Sequence, residues 1–190
     1  MPAADELICD ALSDEIIETV HQIATTQGTS NVNVRKVINE MGVTNRVFYN
    51  RFHNIEEVLE ILYYREITKM RDTIQSDIDV RTDLYGYVMD VATKILVGTY
   101  DVRKQFSQYV FEYDSRSKEN CRWWTDSIKR IIEIGKETGQ LKDVDSDKLS
   151  YAIWCFFRGY NVDAVKRNLT KEDAIENFQF GLSCIFNGIR

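Results

Sequence analysis

Arg46, Val47 and Asn50 fall on one side of a short helical stretch whose other side carries Phe48 and Phe52, with Tyr49 and Arg51 on the flanks. An arginine can bond guanine through two parallel hydrogen bonds, an asparagine can do the same to adenine, and a tyrosine hydroxyl can reach a phosphate. Aromatic residues four apart share one helical face and turn inward together, which leaves the polar set facing out. A helix that reads the major groove of duplex DNA needs this arrangement. A plain helical hairpin with a solvated polar face has the same pattern, and spacing alone leaves both open.

A reading helix has to be held by its neighbours, and the flanking sequence supplies them. Asn33 is placed to cap a helix through Met41, and Gly42 ends it with the freedom a tight turn needs. Thr44 then opens the stretch 45–52, so 33–52 has the layout of a helix-turn-helix joined by Met41-Gly42-Val43-Thr44. Upstream, Ile16, Ile17, Val20, Ile23 and Ala24 repeat at helical spacing as far as Gly28, while Leu7, Ile8, Ala11 and Leu12 suggest an earlier start or an N-terminal arm. Downstream, Asn54 caps a longer helix expected over 55–76, with Glu56 and Glu57 in its first turn, where acidic groups suit the helix dipole.

The polar stretch 77–83 is the expected domain boundary. Beyond it, five helices are legible at 84–98, 101–113, 117–138, 146–167 and 171–187, the last two capped by Asp145 and Thr170. The expectation is an all-α fold of about nine helices. A DNA-binding unit would occupy 1–54, the helix 55–76 would connect, and 77–190 would form a second helical unit.

Composition narrows the function classes. Of 190 residues only Pro2 is a proline, which suits long uninterrupted helices, and 44% hydrophobic with 28% charged residues is a globular composition. A chain of this length can bury about 70% of its unfolded surface. Its longest apolar run, Tyr151 to Phe157, is far short of the roughly 20 residues of a membrane span. The first residues carry no basic flank or apolar core of a secretory signal, so the expected location is cytoplasmic. Cys9, Cys121, Cys155 and Cys184 lie too far apart for a compact disulfide or zinc framework, and two histidines, His21 and His53, do not make a typical metal cluster. No catalytic motif and no cofactor-binding motif is visible, and neither an enzyme nor a cofactor is expected.

The run Val34-Arg35-Lys36-Val37, the turn Gly42-Val43-Thr44, the motif Phe48-Tyr49-x-x-Phe52 and the opening Asn54-x-Glu56-Glu57-Val58-Leu59 together resemble the DNA-binding domain of the TetR (tetracycline-repressor) family. A weaker similarity follows at Gly139-Gln140-Leu141 with Asp145. The resemblance covers about 55 residues well and the remainder only in helix count and length. It implies that Arg35 meets a base or phosphate, that Asn45, Arg46 and Val47 read base edges, that Tyr49, Asn50 and Arg51 touch the groove wall or backbone, and that Thr44 is among the DNA-binding residues. Six positions depart from the family's pattern. Arg46 and Val47 are bulkier than usual, Ile38 and Met41 replace alanine-like residues, Arg51 replaces a histidine, and Ile55 stands where a lysine commonly grips phosphate. His53 is a weak substitute for that lysine, or a solvated loop residue.

Aromatic side chains are concentrated in the second unit: of 22, five precede Leu84. In the resembled family the corresponding helices enclose an effector pocket and the last two form the dimer interface. On that basis Phe106, Tyr109, Tyr113, Trp123, Trp124, Trp154 and Phe157 are candidates for effector contact, with dimerisation through about 146–187. Simple core packing accounts for the same residues. Trp123 and Trp124, adjacent on a helix, have to face different surroundings, and Glu112 is a candidate partner for a cationic group. The stripe Phe178, Gly181, Leu182 and Ile185 suits close helix contact, either across a dimer or within one chain.

The net charge of −6 argues at first against DNA, yet it is unevenly distributed. Residues 1–32 hold six acids and no bases, whereas 33–53 hold Arg35, Lys36, Arg46 and Arg51 against Glu40 alone. The distinctly positive stretch is the candidate reading unit. The expected function is a DNA-binding transcriptional regulator, a ligand-responsive repressor that meets a near-palindromic double-stranded operator as a homodimer. The alternative is an all-α small-molecule-binding or protein-interaction module with a vestigial helix-turn-helix.

Overall fold

The structure, a computed structural model, describes residues 7–72, 76–98, 100 and 117–190. Eight α-helices occur among them: α1 (Ala11–Gln27), α2 (Val34–Met41), α3 (Asn45–Tyr49), α4 (Ile55–Asp72), α5 (84–98), α6 (Lys118–Glu137), α7 (Ser146–Lys166) and α8 (Lys171–Ile189). A single 3-10 turn, Thr29–Asn31, links α1 to α2, and no strand is present among the described residues. The helix expected at 101–113 falls outside the described residues.

Local chemistry sets most of the boundaries. α1 starts at Asp10 with a reciprocal cap: the Ser13 amide donates to Asp10 Oδ1 at 3.0 Å, and the Asp10 amide donates to Ser13 Oγ at 3.2 Å. Residues 7–10 are therefore an arm rather than an extra helical turn. Asn33 caps α2 through the Lys36 amide at 3.0 Å, and Gly42 closes it at a left-handed φ of 66°. Asn54 accepts from the Glu57 amide at 2.8 Å to start α4.

One boundary differs from expectation. α3 ends at Tyr49 instead of continuing to 52, because its last turn tightens: the Arg51 amide bonds the Phe48 carbonyl at 2.9 Å. α4 is described as far as Asp72, and residues 73–75 of its expected end fall outside the described residues. Ser76 is non-helical, and its hydroxyl donates to Asp90 of α5 at 2.6 Å.

Two groups of hydrophobic clusters result. The first gathers the inner faces of α1 to α4 around Ile16, Val20, Val37, Phe48, Tyr63 and Ile67, each at most 1% exposed. The second lies among α5 to α8 around Leu84, Leu96, Ile132, Phe178 and Leu182. Burying each such side chain contributes about 1.5–3 kcal/mol. α6 and α7 form the main helix pair of the second group. Gly135 on α6 admits the start of α5 and the loop after α6: a Cβ there would lie 2.7 Å from Leu84 and 2.8 Å from Leu141. In the loop that joins α6 to α7, the Gln140 side chain accepts from the Leu84 amide at 2.7 Å and donates to the Arg81 carbonyl at 3.1 Å. Gln140 thereby fixes where α5 begins. The stripe on α8 resolves in favour of packing within one chain: Phe178 and Leu182 are buried, and a Cβ on Gly181 would meet the Phe156 ring of α7 at 2.7 Å.

Candidate nucleic-acid interface and adjoining cavity

α3 is held by its aromatic side. Phe48 is fully buried and Phe52 nearly so, with ring centroids 5.7 Å apart, and both sit in the first cluster with Val37 and Ile38. Ile38 therefore enters the core and serves the α2–α3 pair as packing. Thr44 stands at the start of α3 in extended conformation but makes no capping bond with its side chain; its carbonyl accepts from the Val47 amide at 3.0 Å.

The opposite face is open. Thr44, Asn45, Arg46, Tyr49 and Asn50 are exposed, Tyr49 by 53%, and Arg35 is exposed on α2. Val47 is half-buried. Arg35 shares a shallow surface depression with Asn33, Lys36, Asn39 and Glu40, and Lys36 bonds the Gln27 side chain of α1. Of the set nominated from sequence, five residues are exposed at α3, Arg35 is exposed on α2, Val47 is half-buried, and one member is set apart.

That member is Arg51. Its guanidinium makes a two-pronged bridge to Asp10, Nε to Oδ1 at 2.9 Å and Nη2 to Oδ2 at 2.6 Å, and Nη1 donates to the Val47 carbonyl at 3.0 Å. Its side chain is only 10% exposed. The arm adds a backbone bond, from the Ile8 amide to the Asn50 carbonyl at 2.9 Å. The bridge holds the Asp10 carboxyl far below the usual carboxylate range, first through the Arg51 hydrogen bond and then through the Ser13 amide and hydroxyl, against the opposing cost of burial. Asp10 and the arm are neighbours of the candidate interface that the sequence did not reveal, although Asp10-x-x-Ser13 has capping spacing.

The other doubtful phosphate positions also have internal roles. Ile55 packs against the first cluster. Glu57 accepts from the His53 amide at 2.7 Å and lies 3.0 Å from His53 Nδ1.

α4 ends on the second unit. Arg71 Nη2 donates to Asn120 Oδ1 at 3.0 Å, and the guanidinium carbon sits 4.4 Å from the centroid of the Trp123 ring on α6. Among the described residues the buried Arg71 Nε has no hydrogen-bond partner, and the indole face stabilises the cation. Trp123 meets Trp124 edge to face at 4.8 Å, and Trp124 stacks on Trp154 of α7 at 5.9 Å and 15°. The two adjacent tryptophans do face different surroundings: Trp124 is buried, and Trp123 is half-buried against Arg71.

Trp124 and Trp154 belong to the wall of a cavity of about 90 Å³ between α5, α6, α7 and α8. Val91, Ile128, Phe157 and Phe186 complete its sides. At roughly 24 cal/mol per Å³, an empty space of this size forgoes about 2 kcal/mol of packing. Of the effector candidates, Trp124, Trp154 and Phe157 line it, and Trp123 lies behind the wall. Phe106, Tyr109 and Tyr113, like Glu112, fall outside the described residues. The aliphatic walls from α5 and α6 carry no signal that distinguishes them from core in sequence. Among the described residues no group of three or more His, Cys, Asp and Glu could hold a metal ion, and no helix is long and apolar enough to cross a membrane.

No protein-family model and no curated protein matches the chain. Solved structures do. A protein from Syntrophomonas wolfei assigned to the TetR family of transcriptional regulators superposes with a TM-score of 0.70 at 18% identity, over 92% of this chain and 94% of that one. A TetR-family transcriptional regulator from Pectobacterium atrosepticum gives 0.71 at 12% identity, over 100% and 97%. A fatty acid degradation regulator from Bacillus halodurans gives 0.58 at 17% identity, over 90% and 94%. The chain therefore has the all-α fold seen in TetR-family regulators, along almost its whole length.

Proposed function

We propose that the chain is a DNA-binding transcriptional regulator, a repressor that grips a near-palindromic operator as a homodimer and responds to a small molecule held among α5 to α8. One observation carries this reading: Asn45, Arg46, Tyr49 and Asn50 stand exposed on a helix whose Phe48 and Phe52 are locked into the core. Arg46 and Asn45 would read base edges, Arg35, Thr44, Tyr49 and Asn50 would meet phosphates or the groove wall, and Val47 would offer an apolar contact. Arg51 would act from behind, by orienting α3. Residues 1–54 would be the DNA-binding unit, α4 the connector and 77–190 the effector and dimer unit, a division that follows the two groups of clusters.

Dimerisation would use α7 and α8, across 146–187. Their outer faces expose Tyr151 and Phe180, by 59% and 71%, beside the small residues Ala152, Cys155, Gly159, Cys184 and Gly188. Such a face suits a self-complementary two-fold contact. Two α3 helices would then meet half-sites about one helical turn of DNA apart. The described wall of the cavity holds no carboxylate, amine or imidazole.

Selection from a random duplex library at moderate salt, followed by gel-shift titration, tests the proposal. An enriched inverted repeat is the expected result. Absence of any enriched motif would favour a ligand-binding or interaction module with a vestigial helix-turn-helix.

A further inference from the structure

We propose that the cavity among α5 to α8 takes an uncharged, hydrocarbon-like ligand of single-ring size, seated against the stacked pair Trp124 and Trp154. The proposal deepens the reading of this unit as the effector domain and rests on it for its regulatory meaning, though not for binding itself.

The wall supplies the chemistry. Val91, Ile128, Phe157 and Phe186 offer only carbon, and Ser127, which also lines the space, already donates its hydroxyl to the Trp123 carbonyl at 2.8 Å. A carboxylate or ammonium moved into such surroundings loses its hydration and gains no paired charge from the described wall. An uncharged ring gains dispersion contact with two indoles and loses little water. Size points the same way: dry apolar cavities of roughly 150 Å³ admit benzene, and this one measures about 90 Å³, so a compact ring fits with a small outward shift of the wall while a long chain does not. The position is also favourable for signalling, because Trp124 touches Trp123, and Trp123 carries Arg71 of α4.

All three tryptophans of the chain lie at or behind this wall, so their emission reports occupancy without a label. The experiment titrates the full chain, without DNA, with toluene, benzoate and benzylamine, following tryptophan emission and the heat of binding at two temperatures. Expected is saturable toluene binding with a negative heat-capacity change, at least tenfold tighter than either charged analogue. Val91→Phe, which fills the cavity, is expected to abolish that binding; Ala92→Met serves the same purpose if Val91→Phe does not fold by circular dichroism. Benzoate or benzylamine binding as tightly as toluene, no saturable binding to the folded chain, or toluene binding unchanged in a folded cavity-filled variant would each overturn the proposal. The DNA selection is independent. A chain that binds toluene but enriches no operator keeps this proposal and loses the regulator reading; the opposite pair of results does the reverse.

Discussion

Arg51 and Asp10, 41 residues apart, are joined by two parallel hydrogen bonds across the back of the candidate reading helix. Asp10 simultaneously caps α1, so one carboxylate fixes the start of the first helix and the end of the third. If Arg51 were a phosphate contact held in reserve, Asp10→Asn would free it and tighten DNA binding. We expect the contrary. Asp10→Asn and Arg51→Ala should both lower the thermal midpoint, and both should weaken operator binding without changing the slope of log affinity against log salt, since that slope counts phosphate contacts. Arg51→Lys should not restore either property, because a point charge does not reproduce the two-pronged geometry. Thermal melts and gel shifts at two salt concentrations check this.

The same pair sets a pH dependence. Asp10 is depressed in the folded protein, so its stabilisation is complete above the unfolded carboxyl value, about pH 4, and is lost as pH falls from there. The difference in melting temperature between the parent chain and Asp10→Asn should therefore be constant from pH 5 through neutrality. It should close progressively on acidification below about pH 4, a trend thermal melts across that range would follow.

Arg46 and Arg35 separate specificity from grip. Arg46→Ala should relax base preference at one operator position and cost roughly 1–3 kcal/mol. Arg35→Ala should weaken all sequences about equally and reduce the salt slope by about 1. Gel-shift titration against the selected operator and single-base variants distinguishes the two.

Gly135 is a packing requirement in the second unit. Gly135→Ala would push a methyl group into Leu84 and Leu141 at 2.7–2.8 Å, and overpacking of this kind costs typically about 1–3 kcal/mol. Gly181→Ala meets the Phe156 ring in the same way. Both should lower stability to denaturant, measurable by circular dichroism, while the exposed face of α3 stays intact.

What was legible in the sequence was local. The caps at Asn33, Asp145 and Thr170 and the apolar faces of α1 and α8 depend on residues three or four apart, and the structure has them where the spacing puts them. The outward set on α3 was legible for the same reason. Arg51 was not, because its exposure depends on a partner in a distant arm, and an arginine beside a reading helix has the same appearance in sequence whether it faces solvent or Asp10. The cavity was half legible: Trp124, Trp154 and Phe157 stood out as aromatics, whereas Val91 and Ile128 are indistinguishable from ordinary core until four helices meet. Arg71 gave no signal either, since its indole partner lies 52 positions further along the chain.

Arg71 has a consequence for how the chain melts. Its guanidinium lodges between the last turn of α4, rooted in the first cluster, and the opening turns of α6, rooted among the others. Loosening either side strips that cation of a partner, so the unfolding of one unit is felt by the other. Cooperativity across the two halves thus passes in part through one cation lying on one indole. In Arg71→Ala the calorimetric enthalpy is expected to exceed the van't Hoff value more than in the parent chain, the mark of two units melting on their own terms.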